Sequence, residues 1–283
     1  MEVAVEDRWA LVNGVKIHYL VAGEAGSPVL LLHGGGLDSA WLSYKFCIGP
    51  LARRHRVFAP DWPGYGASDK PDLPYTTGLY VGLLARLMEI LGLESASLAG
   101  VSLGGAVALG LALAAPRRVD KLVLADSHGL GWQAPGGILS YLFLRLPFVN
   151  ELSWAIVARS RRLVEWSLRS IVYDPSVITA DLVDEVYEML QQPGVAKAWR
   201  SWQRGEVGPA GLRTNYVNRL HEVAAPTLLI HGDHDGLVPL AWSRRAAALI
   251  PRSELVVFPD CGHWSPREKP DEFNSRVLAF LSQ

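Results

Sequence analysis

Ala96-Ser97-Leu98-Ala99-Gly100-Val101-Ser102-Leu103-Gly104-Gly105 begins as a short apolar run and turns at a serine flanked by glycines. Ala106 to Ala115 then continues it as an uncharged helical run. Strand before and helix after is the context that a Gly-x-Ser-x-Gly elbow requires. A sharp strand-to-helix turn forces the serine into a strained conformation, and glycines on either side remove the Cβ atoms that would clash. The Ser102 hydroxyl is then held proud of the sheet. The helix that follows offers a free backbone N–H, from Leu103, to negative charge developing nearby. Ala96 to Pro116 carries no charge and has the length of a membrane span, but Gly100, Gly104, Gly105 and Gly110 fit a buried strand leading into a buried helix.

On either side of this stretch the pattern repeats. Val29 to Leu32, Val57 to Ala59, Leu122 to Ala125, Thr227 to Ile230 and Leu255 to Phe258 are apolar runs bounded by turn residues and separated by helical patterns. Continuous apolar runs mean strands covered on both faces, and their alternation with helices implies a mostly parallel sheet. At the start, Trp9, Leu11, Val15, Ile17 and Tyr19 alternate around Asn13-Gly14, which predicts a β-hairpin. The alternation breaks between His128 and Leu220, where several helices are expected, rich in tryptophan and arginine and broken at Asp174-Pro175 and Pro193-Gly194. The reading is a core domain of residues 1–127 and 221–283 with a helical cap, residues 128–220, whose tryptophans pack it onto the core.

Three further segments carry chemistry. His33-Gly34-Gly35-Gly36 follows a strand and matches the loop that supplies a second oxyanion donor, here the N–H of Gly35, with Gly36 as a neighbour that shares the task. His33 itself is read as fixing that backbone. Cys261-Gly262-His263-Trp264 follows the last strand, which places His263 at the carboxyl edge of the sheet as the general base. Asp235, in the loop after Thr227 to Ile230, is the acid that orients it; Asp233 is read as a turn residue, and Asp126, at another strand end, is the rival.

Composition narrows the classes. The chain has 283 residues, a formal net charge of −1 and 49% hydrophobic residues, which suits a globular protein with no field to attract nucleic acid or an anionic membrane. Cys47 and Cys261 are the only cysteines, without the spacing of a zinc site, and neither a metal nor an organic cofactor is expected. Met1 to Ala10 lacks the basic-then-apolar order of a secretory signal, so the cytoplasm is the expected compartment. Oligomeric state is left open by the sequence.

With Ser102, Asp235 and His263 in that order, the chain resembles the α/β-hydrolase superfamily over nearly its whole length. The resemblance implies a mostly parallel eight-stranded sheet flanked by helices, with an inserted helical cap, and cleavage through an acyl-enzyme on Ser102. Within the superfamily the chain is similar to the branch of meta-cleavage-product hydrolases, which split carbon–carbon bonds in dienoates, and related small-molecule esterases. The shared features are His33 to Gly36, Asp61-Trp62-Pro63-Gly64-Tyr65-Gly66-Ala67-Ser68, the elbow, Cys261 to Trp264, Glu268 to Phe273, and the Tyr173-Asp174-Pro175 to Ile178-Thr179 stretch.

Two departures bear on the substrate. Val101 stands where carbon–carbon hydrolases carry asparagine, and Val186 aligns with the cap arginine that grips the substrate carboxylate. Val101, Val186 and Trp264 are thus the expected substrate-contacting positions. Without those polar groups a buried carboxylate is costly, so the expected substrate is an uncharged or weakly charged carboxylic ester of modest size. The alternatives are the carbon–carbon hydrolase and a non-catalytic small-ligand receptor on the same scaffold.

Overall fold

Each apolar run becomes a strand. The computed structural model describes residues 3–146 and 148–283; Met1 and Glu2, at the head of the segment read above as unlike a secretory signal, lie outside the described residues, as does Pro147. The strands are β1 (Val5–Val12), β2 (Val15–Ala22), β3 (Pro28–Leu32), β4 (Arg56–Pro60), β5 (Ala96–Val101), β6 (Val119–Ala125), β7 (Val207–Gly208), β8 (Gly211–Leu212), β9 (Thr227–Gly232) and β10 (Ser253–Phe258). Eight of them form one sheet in the order β1-β2-β4-β3-β5-β6-β9-β10, while β7 and β8 make a two-residue ladder apart from it. Among the described residues that ladder is the one extended element in the stretch expected to be helical.

Asn13 and Gly14 both take positive φ, 51° and 81°, as a tight two-residue turn demands, and β1 pairs antiparallel with β2. β2 also runs antiparallel to β4, and every later neighbour is parallel. The hairpin's alternation is real, but its large apolar residues face outward: Trp9 and Leu11 are exposed, whereas Ala10, Val12 and Ile17 are buried against α3 (Thr77–Ile90). Trp9 instead rests on the His18 ring and beneath the Lys16 ammonium.

Parallel strands need cover on both sides. Leu30, Leu32, Leu98, Leu122 and Leu124 point to one face, packed by α3, by α4 (Leu103–Ala114) and by α10 (Leu240–Leu249). Val29, Leu31, Ala99, Val123 and Ala125 point to the other. Short helices α1 (Ala40–Tyr44) and α2 (Ile48–Ala52) pack there with α12 (Pro270–Leu281), and α11 (Ser265–Glu268) precedes α12. Between β6 and β9 the chain forms α5 (Gly137–Arg145), α6 (Val149–Val157), α7 (Arg161–Leu168), α8 (Ala180–Leu190) and α9 (Lys197–Glu206). Among the described residues no helix is long and apolar enough to cross a membrane.

α4 is buried from Leu103 to Leu113, so it lies against the sheet rather than over it. Such close approach needs glycine: a Cβ on Gly104 would stand 1.9 Å from the Leu32 carbonyl oxygen. Gly104→Ala is therefore expected to cost about 1–3 kcal/mol, because backbone must move to admit the methyl. Gly82, exposed within α3 with nothing within 4 Å of its would-be Cβ, supplies the control. Gly82→Ala should gain about 0.5–1 kcal/mol. Urea unfolding midpoints that move in opposite directions are the expected result.

Candidate active site

At the carboxyl end of β5 the backbone of Ser102 takes φ 53° and ψ −117°, a conformation that costs a non-glycine residue about 1–3 kcal/mol. Three backbone hydrogen bonds hold it: Ser102 N donates to Ala125 O (3.0 Å), and Ser102 O accepts from Ala106 N (3.2 Å) and His128 N (3.1 Å). The side chain consequently stands at the head of α4, beside the Leu103 amide.

Facing it is His263, which lines the same cavities as Ser102. Its Nδ1 donates to Asp235 Oδ2 at 2.8 Å, the tautomer that leaves Nε2 to accept a proton. Asp235 Oδ1 accepts from the amides of Leu237 (2.8 Å) and Val238 (2.9 Å), which fixes the carboxylate in its loop. No hydrogen bond joins Ser102 Oγ to His263 in this arrangement, a looseness common in ligand-free sites of this type. Burial opposes ionisation of Asp235, yet the His263 charge and the donors around it hold its carboxyl below the usual range. For His263, too, burial works against charge, and the Asp235 carboxylate outweighs it, lifting the imidazole above its ordinary value.

The two rival acids do other things. Asp126 accepts from Gly232 N (2.9 Å) through Oδ1 and from Ser265 N (3.1 Å) through Oδ2, so it braces the ends of β6 and β9 and the His263 loop. Asp233 bonds the His234 ring and the Cys261 amide. Asp126, His231 and Asp235 bring their ligand atoms within 4.8 Å of one another, a spacing that suits a metal ion. Their chemistry does not: His231 Nε2 donates to Val238 O at 3.0 Å, and Asp235 and Asp126 are committed to the donors just named.

The glycine loop sits opposite the elbow. His33 accepts from Trp62 N through Nε2 (3.0 Å) and lies 2.8 Å through Nδ1 from Gly34 O, and burial drives its pKa down to about 4, so it serves the loop as a neutral ring. Gly35 and Gly36 both line the smaller cavity beside Ser102, and Gly35 has no room for a side chain, since a Cβ there would meet the Trp199 ring at 2.3 Å. Trp199 stacks on Trp202 with centroids 4.8 Å apart, so α9 is laid directly over the loop.

Two chambers meet at Ser102 and His263, with Trp154, Trp199 and Leu237 in the walls of both. The smaller, about 290 Å³, is lined by Gly34 to Asp38, Val101 and Trp264. The larger, about 710 Å³, takes its walls from Leu139, Phe143, Leu144, Trp202 and Trp242. Val101 and Trp264 line the smaller chamber. Val186 does not: it is fully buried on the inner face of α8 with Leu182, Val183 and Leu190, and it lines neither chamber. The i, i+4 spacing that makes it a core residue of the cap turns it away from the cavity. Of the cap tryptophans, Trp154, Trp199 and Trp202 line chambers, while Trp132 and Trp166 are exposed. None of Arg159, Arg161, Arg162 or Arg169 reaches a chamber.

Sequence reading passed over three contributors. His231, near the end of β9, lies 3.4 Å from Asp235 Oδ2, and the loop after the strand folds back to bring the two together. Glu268 accepts from the amides of Gly262, Tyr173 and Asp174, tying the His263 loop to the cap. Asp38 is buried in the wall of the smaller chamber.

A family model described as alpha/beta hydrolase fold matches residues 27–270. The 2-hydroxy-6-oxononadienedioate/2-hydroxy-6-oxononatrienedioate hydrolase of Comamonas testosteroni is 34% identical over 277 residues, covering 95% of this chain and 92% of that protein. Among solved structures, a meta-cleavage product hydrolase (CumD) from Pseudomonas fluorescens IP01, complexed with acetates, superposes with a TM-score of 0.81 at 30% identity, covering 97% of each chain. A membrane phospholipase A described as a novel bacterial virulence factor superposes equally well, with a TM-score of 0.81 at 26% identity, covering 98% of this chain and 86% of that one.

The Asp235–His263 contact makes a prediction independent of any substrate. Followed by NMR, the His263 ring should titrate above the ordinary imidazole value. Asp235→Asn removes the charge that holds it there and leaves burial to act, so the midpoint should fall below that value. Asp126→Asn should lower it less, and its main effect should be on stability.

Proposed function

The chain belongs to the alpha/beta hydrolase fold family, and we propose that it is a serine hydrolase of small, uncharged carbonyl compounds, carboxylic esters first among them. One observation carries this reading: among the described residues no lysine or arginine lines either chamber, and the ionisable groups that face them are Asp38, His128 and His263. A carboxylate taken into such walls without a cation pays a large desolvation cost, whereas a neutral carbonyl needs only hydrogen-bond donors at its oxygen.

In this reading His263 takes the proton of Ser102 as its oxygen attacks the carbonyl carbon, and Asp235 stabilises the imidazolium. The amides of Gly35 and Leu103 hold the oxyanion. His263 then gives its proton to the leaving alcohol, and a water activated by the same ring releases the acid from Ser102. Side chains, backbone amides and water supply every step. The larger chamber receives the bulkier apolar half of the substrate and the smaller chamber the other, with residues 128–220 acting as the lid. The phospholipase A among the solved neighbours supports an ester. Two free, buried thiols suit a reducing compartment such as the cytoplasm.

A second reading, carbon–carbon hydrolysis of a meta-cleavage product, is favoured by the relatives. The Comamonas testosteroni enzyme and CumD match this chain over nearly its whole length, and their names support that reaction more directly than any of them supports an ester. Trp264 in the wall of the smaller chamber is compatible with both. The two readings separate on the carboxylate, which a dienoate carries and this cavity leaves without a cation.

kcat/KM for a short-chain aryl ester is expected to exceed that for a phenyl-substituted dienoate by at least about tenfold, or ~1.4 kcal/mol in transition-state binding. The reverse preference, measured on one preparation at one pH, moves the assignment to carbon–carbon hydrolysis, and turnover of neither, with tight binding of a small ligand, moves it to a receptor. An organophosphonate should add covalently to Ser102 and nowhere else by mass spectrometry, and Ser102→Ala should fold normally while losing the label and most turnover. Because His263 must be neutral to act as a base, kcat/KM should rise with pH through its raised pKa, and Asp235→Asn should cut kcat by several orders of magnitude.

A further inference from the structure

Asp38 lies in the wall of the smaller chamber, 5% exposed, in the loop between the glycine turn and α1. Its Oδ2 accepts from Gly34 N at 2.7 Å and its Oδ1 from Ser39 N at 2.8 Å. The Ser43 hydroxyl, within 2.9 Å of both oxygens, donates as well. Ser43 Oγ in turn accepts from Trp264 Nε1 at 2.8 Å, so a side chain beside the His263 loop clamps the acid in place. A Cβ built on Gly34 would meet Asp38 Oδ2 at 2.9 Å and Ser102 Cβ at 3.4 Å, which puts the carboxyl group and the nucleophile on either side of one glycine.

No base pairs with this acid among the described residues. Arg267 feels it electrostatically, but its guanidinium bonds Leu42 O at 3.2 Å and faces Glu185 at 3.6 Å. Burial pushes the carboxyl up to about 7, while the donors around it pull the other way, so above neutrality the chamber wall carries a negative charge. A ligand carboxylate entering this chamber meets like charge where the dielectric is low and no cation offsets it. A neutral acyl group meets only the hydrogen-bonded loop.

We propose that Asp38 is a specificity-determining residue, an anionic wall clamped by Ser43 and Trp264 that makes the smaller chamber reject carboxylates and accept neutral groups. The proposal rests on the reading of an uncharged substrate and names the side chain that enforces it. It separates Asp38 from a mere brace of the glycine loop, because a brace needs the acceptor oxygens and not the charge.

The test uses binding rather than turnover, so an enzyme that splits carbon–carbon bonds instead of esters reports on Asp38 just as well. In full-length Ser102→Ala at about pH 8.5, where both the probe acid and Asp38 are ionised, phenylacetamide should bind at least about tenfold tighter than phenylacetate by calorimetry. Adding Asp38→Asn, which removes the charge and keeps one of the two acceptor oxygens, should narrow that gap at least about fivefold, mainly by tightening the acid. Equal binding of the two probes in Ser102→Ala overturns the proposal, and so does a gap that Asp38→Asn leaves unchanged. Should the asparagine variant bind neither probe, Asp38→Ser, which also drops the charge, is read by the same criteria.

Discussion

Ser102 is held at a positive φ by packing that leaves the backbone no other path. β5 must end beneath α4, α4 must lie against β3 with only a hydrogen atom between Gly104 and the Leu32 carbonyl, and the serine between them absorbs the turn. The strain is offset by three backbone hydrogen bonds and by a helix and strand that are buried along almost their whole length. The other site residues are placed by the same sheet. Asp235 and His263 come from loops after β9 and β10, strands aligned with β6 in parallel register, and Asp126 ties the ends of β6 and β9 to the loop that carries His263.

Four carboxyl groups surround this point, and their surroundings give them different work. Asp235 faces His263, His231 and two amides, which keep it ionised against its burial. Asp126, with the charges of Asp235 and His263 close by, is spent on two backbone donors. Asp38 has donors but no cation and is raised toward neutrality. Glu268 satisfies three amides from two segments and so links the lid to the catalytic loop. The same carboxyl group thus sits in four different electrostatic settings, according to which charges and donors reach it.

The inserted helices are more than a cover. Trp199 occupies the space that the side-chain-free Gly35 leaves, Ile171 O accepts from His263 N at 2.7 Å, and Glu185 on α8 pairs with Lys45 on the core at 2.7 Å. Trp154 and Trp199 line both chambers, so the inserted helices supply part of the walls around Ser102.

The linear sequence determined the sheet, the elbow and the identities of Ser102, Asp235 and His263 as candidates, because each depends on local rules: apolar runs, a strand-to-helix junction with glycines, and loops at strand ends. It also marked the Asn13-Gly14 hairpin, though not its orientation, since Trp9 and Leu11 obey the right period and face the solvent. What only the tertiary structure decided is which side chains share the cavity. Val186 aligns with the cap arginine of the carbon–carbon hydrolases, but the helical phase of α8 sends it into the core instead. Asp38, Ser43 and Trp264 meet although Ser43 and Trp264 lie 221 positions apart, and Glu268 reaches Tyr173 across 95. Contacts of that span are made by packing and long-range hydrogen bonds, which leave no periodic mark on the chain, so the elbow serine could be read from its neighbours in sequence while the walls of the cavity around it could not.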